Sequence, residues 1–220
     1  MTQPTPPAAA GTAPDALLLV APGCIHCAAV LAALSDLVKT GEVGRLTVVN
    51  LARHPEEGQA RGVKGVPWLR LGPLVLEGRH PPAELKAWAR DATRPEGMAR
   101  YLAQMLETGR MDRALPLARE QDAALDAVVL LLADEDTELQ VRVGLGAILE
   151  DLAGDPRLDR LIEPLSALAR HPEPRIRNDA CHYLGLLRRP GARAALEHCR
   201  DDPDPQVREV AAEGLAALGD

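Results

Sequence analysis

The 220-residue sequence predicts an α/β domain of order βαβαββα followed by an all-α repeat array, and three observations carry that prediction. Short apolar runs alternate with helix-period segments between residues 15 and 92. Strand signals stop at about Pro95. Beyond residue 137 a helix-opening pattern recurs at nearly constant spacing. Charge divides along the same line: residues 1–95 hold 10 Lys and Arg against 8 Asp and Glu, whereas residues 96–220 hold 15 against 24. With no Phe, two Trp and two Tyr, the cores must be built from Leu, Val and Ala.

Residues 1–14 contain four prolines and no Lys or Arg, which predicts a disordered leader and no secretory signal. Leu17-Leu18-Leu19-Val20-Ala21 makes a buried strand over 16–21, followed by a helix over 24–39. A second strand is expected over 45–51 and a short helix over 55–62. Trp68-Leu69-Arg70-Leu71 and Leu74-Val75-Leu76-Glu77 form a hairpin across Gly72-Pro73. A helix from Pro82 to about Asp91 closes a domain spanning 15–92, with proline at its start where a missing N–H is harmless.

The chemistry in this half lies in Cys24-Ile25-His26-Cys27. With a helix starting at Cys24, the i,i+3 spacing brings both sulfurs to one face, near enough to close a disulfide. The helix N-terminus favours negative charge on the first sulfur, making Cys24 the attacking thiolate and Cys27 the resolving thiol. A lone Cys-x-x-Cys cannot complete a tetrahedral metal site, so metal binding at Cys24, His26 and Cys27 would need ligands from elsewhere.

This arrangement, with Gly65-Val66-Pro67-Trp68 ahead of the third strand, resembles the short form of the thioredoxin/glutaredoxin superfamily over residues 15–92. The resemblance implies that Pro67 is cis and faces the cysteine pair, and that Val66 offers its backbone to an extended substrate segment. It also implies that His26, directly before the second cysteine, tunes the redox poise by stabilising the Cys24 thiolate. Two departures stand out. Gly23 occupies the place where family members commonly carry Trp, and the first strand holds no buried acid to accept the second thiol's proton. Trp68 either supplies the missing aromatic wall beside substrate or fills the core of a Phe-free domain.

In the second half, 95–220, Glu173-Pro174-Arg175-Ile176-Arg177 aligns with Asp204-Pro205-Gln206-Val207-Arg208 at an offset of 31, and Glu138-Leu139-Gln140-Val141-Arg142 matches at an offset of 35. These copies resemble HEAT repeats of the short, phycobilisome-lyase-related type. The resemblance implies helical hairpins over 138–152 with 156–170 and 174–188 with 191–200, then a lone helix over 205–218, preceded by less regular helices over 98–108 and 111–133. Stacked hairpins share one core and a curved surface that recruits a protein partner. The unpartnered last helix would be capped by itself or by a second copy of the chain. Asp155, Glu173 and Asp204, each followed by proline, mark helix starts. Cys181 and Cys199, beside His182 and His198, could pair, hold zinc or simply pack; the repeat alignment sets Cys181 on Ala212, a small packing position. The recurring Arg142, Arg177 and Arg208 are expected to bond between neighbouring helices.

Exclusions complete the prediction. No apolar run approaches the roughly 20 residues of a membrane helix, no basic stripe or Gly-rich phosphate loop marks nucleic acid or nucleotide, and no cofactor or resident metal is called for. Four cysteines fit a cytoplasmic chain. The expected function is a thiol-disulfide oxidoreductase acting through Cys24, Cys27, His26 and Pro67, with Val66 and Trp68 at the substrate, on a protein recruited by the repeats. The alternative is a non-enzymatic adaptor.

Overall fold

The computed structural model describes residues 13–219. Contacts divide the chain into two compact units between Met98 and Ala99, a division that falls inside one helix. Most of the expected leader, residues 1–12, lies outside the described residues; Pro14 is already tied in, its carbonyl accepting from Gly44 N–H at 3.0 Å.

The first unit is a mixed four-stranded sheet with three helices. Its elements are β1 (Ala16–Val20), α1 (Cys27–Lys39), β2 (Leu46–Asn50), α2 (Pro55–Gln59), β3 (Trp68–Leu71), β4 (Leu74–Glu77) and α3 (Pro82–Asp91), and the strand order is β2-β1-β3-β4. β1 is central, parallel to β2 and antiparallel to β3. That position explains its unbroken apolar sequence, because a strand covered on both faces has no polar side to present. β2 is an edge strand, and Thr47, Val48 and Asn50 are exposed. Gly72, at φ 57°, makes the tight β3–β4 turn.

α1 lays Val30, Leu34 and Leu37 over β1 and β2 and against α3, which buries Leu85, Trp88 and Ala89. The other sheet face carries Leu17, Leu19 and Trp68, closed over by Val49, Leu51, Val63 and Val75. Each leucine wholly removed from water, such as Leu18, Leu34 and Leu69, contributes about 1.5–3 kcal/mol of transfer free energy.

α4 (Pro95–Glu107) crosses the division. It is followed by α5 (Met111–Glu120), α6 (Asp122–Ala133), α7 (Leu139–Asp151), α8 (Ile162–Leu168), α9 (Pro174–Leu187), α10 (Arg193–Cys199) and α11 (Pro205–Leu218). α8 and α10 are each entered through a 3-10 turn, Pro156–Leu161 and Pro190–Ala192. The stretch 111–133 is two helices rather than one. Gln121 is extended at φ −128°, ψ 118°, ending α5 and capping α6, and the break lets the two helices pack on each other as one continuous rod could not. No Gly or Pro marks the break, so the local pattern concealed it.

Asp155 caps the Arg157 N–H, and Asp204 caps those of Gln206 and Val207. Glu173, with a side chain one methylene longer, makes no side-chain cap; its own N–H donates instead to His171 Nδ1 at 3.1 Å. α9 and α11 approach closely where Gly185 meets Gly214: a Cβ on Gly185 would lie 2.7 Å from the Gly214 Cα. The face of α11 carrying Arg208, Ala212 and Ala216 is exposed.

Candidate functional site

The dithiol segment leaves the end of β1 and turns before α1 begins. Gly23 has φ 78°, Cys24 N–H donates to the Ala21 carbonyl at 3.3 Å, and α1 starts at Cys27 with His26 as its N-cap residue. The helix therefore begins one turn later than the sequence predicts. Cys24 stands ahead of its N-terminus, and Cys27 is the first helical residue. The left-handed backbone at position 23 accounts for the glycine there, because a side chain would strain the turn.

Cys24 and Cys27 form a disulfide, with S–S 2.02 Å and Cα–Cα 5.5 Å. The two sulfurs are not equivalent. Cys24 is half-buried beside Ile25, which is 84% exposed, whereas Cys27 is 7% exposed and faces the core. An attacking nucleophile must be reached by its partner, and a resolving thiol need only reach the first sulfur. The burial order matches those two tasks. His26 is half-buried and makes no side-chain capping bond.

The register Leu19↔Trp68 brings the start of β3 beside the end of β1, so Pro67 and the dithiol leave the same end of the sheet. The Val66–Pro67 peptide is cis. Pro67 is buried and its carbonyl accepts from Gly78 N–H at 2.9 Å, while Val66 is half-buried and its backbone N–H and C=O have no hydrogen-bond partner among the described residues. Trp68, at 4% exposed, packs with Leu17 and Leu19. Its burial places it in the core beneath the site rather than as an exposed wall beside a substrate.

In the second unit Cys181 and Cys199 are free thiols, each wholly buried. The Cys199 thiol and burial push the Cys181 thiol up, which keeps it neutral. Cys199 Sγ lies 3.5 Å from the Ala169 carbonyl. His182 and His198 are exposed while both thiols are wholly buried among apolar side chains, where they pack as small apolar groups. Ala212, the position aligned with Cys181, is exposed.

Two of the three recurring arginines, Arg142 and Arg177, bond to the following repeat, whereas Arg208 bonds only to the turn ahead of its own helix. Arg142 grips Asp179 through Nε and Nη2 at 2.6–2.9 Å. Arg177 grips Asp202 at 2.7 and 2.8 Å, and also donates to the carbonyls of His171 and Pro172. Arg208 repeats the carbonyl bonds, to Asp202 and Pro203.

Sequence reasoning missed a groove where α7 meets α9, with Leu139 and Val143 on its rim at 70% and 65% exposed and Gly146, Ala147, His182 and Tyr183 along it. The signal was available: α7 is apolar on the face opposite Val141, Leu145 and Ile148 as well as on the core face. No helix among the described residues is long and apolar enough to cross a membrane.

Residues 125–216 match the family model for HEAT repeats, covering α6 through most of α11. No curated protein matches the chain. The second unit therefore carries HEAT repeats, an architecture whose stacked hairpins present extended surfaces to other proteins.

Proposed function

We propose that the chain is a thiol-disulfide oxidoreductase of thioredoxin-like fold whose HEAT repeats engage the protein it acts on. The supporting observation is the unequal dithiol, reachable at Cys24 and buried at Cys27, at the sheet end shared with cis-Pro67 and the unbonded backbone of Val66. The strand order β2-β1-β3-β4 with one parallel and two antiparallel pairings supports the fold reading.

In the reduced protein the Cys24 thiolate attacks one sulfur of a partner disulfide. A Cys24–S–partner bond forms, the partner's S–S bond breaks, and the second partner sulfur leaves as a thiolate that takes up a proton. Cys27 then loses its proton and attacks Cys24 Sγ, closing the 24–27 disulfide and releasing the partner's first sulfur as a thiolate. Two electrons have passed from the dithiol to the partner. The oxidised form described above is the product of that sequence, and run in reverse it hands a disulfide to a partner dithiol. The first-turn N–H groups of α1 and the His26 imidazole stabilise negative charge on Cys24. With no buried acid in β1, solvent takes up the proton of Cys27. Val66 pairs its N–H and C=O with an extended partner backbone, and Trp68 supports that segment from below.

The test is Cys27→Ser presented with a disulfide-bonded peptide. A mixed disulfide through Cys24 is expected to accumulate, and Cys24→Ser is expected to form none. The absence of any adduct, together with no turnover of a disulfide reporter by the natural sequence, would exclude the proposal. The exposed apolar rim of Leu139 and Val143 favours a second reading, an adaptor whose repeats bind a partner without chemistry. In that case Cys24→Ser leaves partner function intact.

A further inference from the structure

The end of the sheet that carries the dithiol presents cations that no acid of the first unit engages. Four connections meet there, residues 21–26, 51–54, 60–67 and 78–81. They contain Arg53, Arg61, Lys64, Arg79 and three histidines, and not one Asp or Glu. The acids nearest in sequence sit in the flanking elements. Glu57 is engaged by Arg61 at 2.6 Å, Glu56 by His54 at 3.1 Å and Glu84 by His80 at 3.0 Å, while Glu77 closes β4. Arg53, Lys64 and Arg79 are exposed and enter no ion pair among the described residues. The opposite end has no such bias: the 40–45 connection holds Glu42 with Arg45, and Glu42 is paired with Lys86 at 3.0 Å.

Three cations without an ion-pair partner among the described residues thus stand on the connections at the dithiol's end of the sheet, while Glu56, Glu57 and Glu84 there are each already bonded to a basic side chain. An approaching carboxylate-rich chain is drawn in, and a basic one is repelled. Lys64 lies two residues before Val66, so a segment paired with the Val66 backbone passes its own side chains beside that ammonium. We propose that the substrate of this dithiol is an acidic, extended polypeptide segment with Asp or Glu flanking its cysteine. This rests on the oxidoreductase reading above and names its substrate class. The acidic second half of the chain does not meet the description itself, because both of its cysteines are wholly buried.

The test uses the full chain and three disulfide-linked reporter peptides of equal length, with glutamate, glutamine or lysine flanking the cysteine. At low salt kcat/KM is expected to rank glutamate over glutamine over lysine, with about tenfold between the extremes. The gap narrows as salt is raised past a Debye length of about 10 Å. Arg53→Glu/Lys64→Glu/Arg79→Glu is expected to invert the ranking. Lys64→Gln alone is expected to compress it, which guards against misfolding of the triple variant. Equal rates for the three peptides, or a lysine preference, would overturn the substrate class while leaving the oxidoreductase reading standing. Turnover of none of them would remove both. Competition by polyuridylate with none by polyglutamate at equal charge would assign the face to nucleic acid and overturn the proposal.

Discussion

Four cysteines sort into two environments, and the environment decides the chemistry of each. Cys24 has solvent on one side and the amino end of α1 on the other, whereas Cys181 and Cys199 are free thiols wholly buried in the second unit, with Cys199 Sγ against a backbone carbonyl. Thiolate character and access together set the rate of alkylation. After reduction, a short pulse of iodoacetamide is therefore expected to label Cys24 first and Cys27 later. Cys181 and Cys199 should be labelled only in denaturant, and peptide mapping reads the order directly. Labelling of Cys181 in the native protein would show that α9 and α10 open far more readily than their burial implies. His26 sits at the helix N-cap, half-buried and without a capping bond, and the proposed mechanism gives it the charge on Cys24 to stabilise.

Between elements, the most deeply buried ion pair among the described residues is that of Arg177 of α9, 8% exposed, held by both oxygens of Asp202 in the loop before α11 and by two carbonyls before α9. Removing the guanidinium strands a carboxylate whose side chain is 7% exposed. Arg177→Leu is expected to cost about 3–5 kcal/mol in chemical denaturation, and Arg177→Lys should recover only part, because an ammonium cannot grip both oxygens. The hydrogen bond from Arg177 holds the Asp202 carboxyl below its ordinary value of 3.8. A carboxylate depressed in the fold stabilises it above the unfolded value and loses that contribution as pH falls through the folded one. Acid unfolding of the natural protein should therefore steepen below about pH 4, and Asp202→Asn should flatten that step.

The same elements show what the sequence made legible. The β3–β4 hairpin, α3, α9 and α11 could be placed nearly to the residue, because each is framed by proline, glycine or a turn pair whose effect on φ is local. The break at Gln121 has no such frame and follows from packing between α5 and α6. The late start of α1 is likewise set by the Gly23 turn, which the cysteine spacing alone does not reveal. At the site, motif spacing identified the two sulfurs and the proline. It could not reveal that Trp68 is core, that Val66 is left unbonded, or that three cations share one sheet end, since each depends on the register of β1 with β3.

For the whole molecule, redox state and stability are coupled in one unit only. The disulfide closes a ring of four residues in the first unit, and constraining so short a loop in the unfolded chain is worth about 2 kcal/mol at most in the chain-entropy model. The second unit has no disulfide to lose, since Cys181 and Cys199 are already thiols. Each unit holds its own buried core, so calorimetry is expected to resolve two transitions. Reductant should lower one of them by up to roughly 10 °C, given the size of the unit, and leave the other in place. Circular dichroism distinguishes them, because the unmoved transition carries most of the helical signal: α5 to α11 lie wholly in the second unit. A single transition that shifts as a whole with reductant would mean that the two units unfold as one. Reduction at Cys24 and Cys27 would then be felt across the repeats.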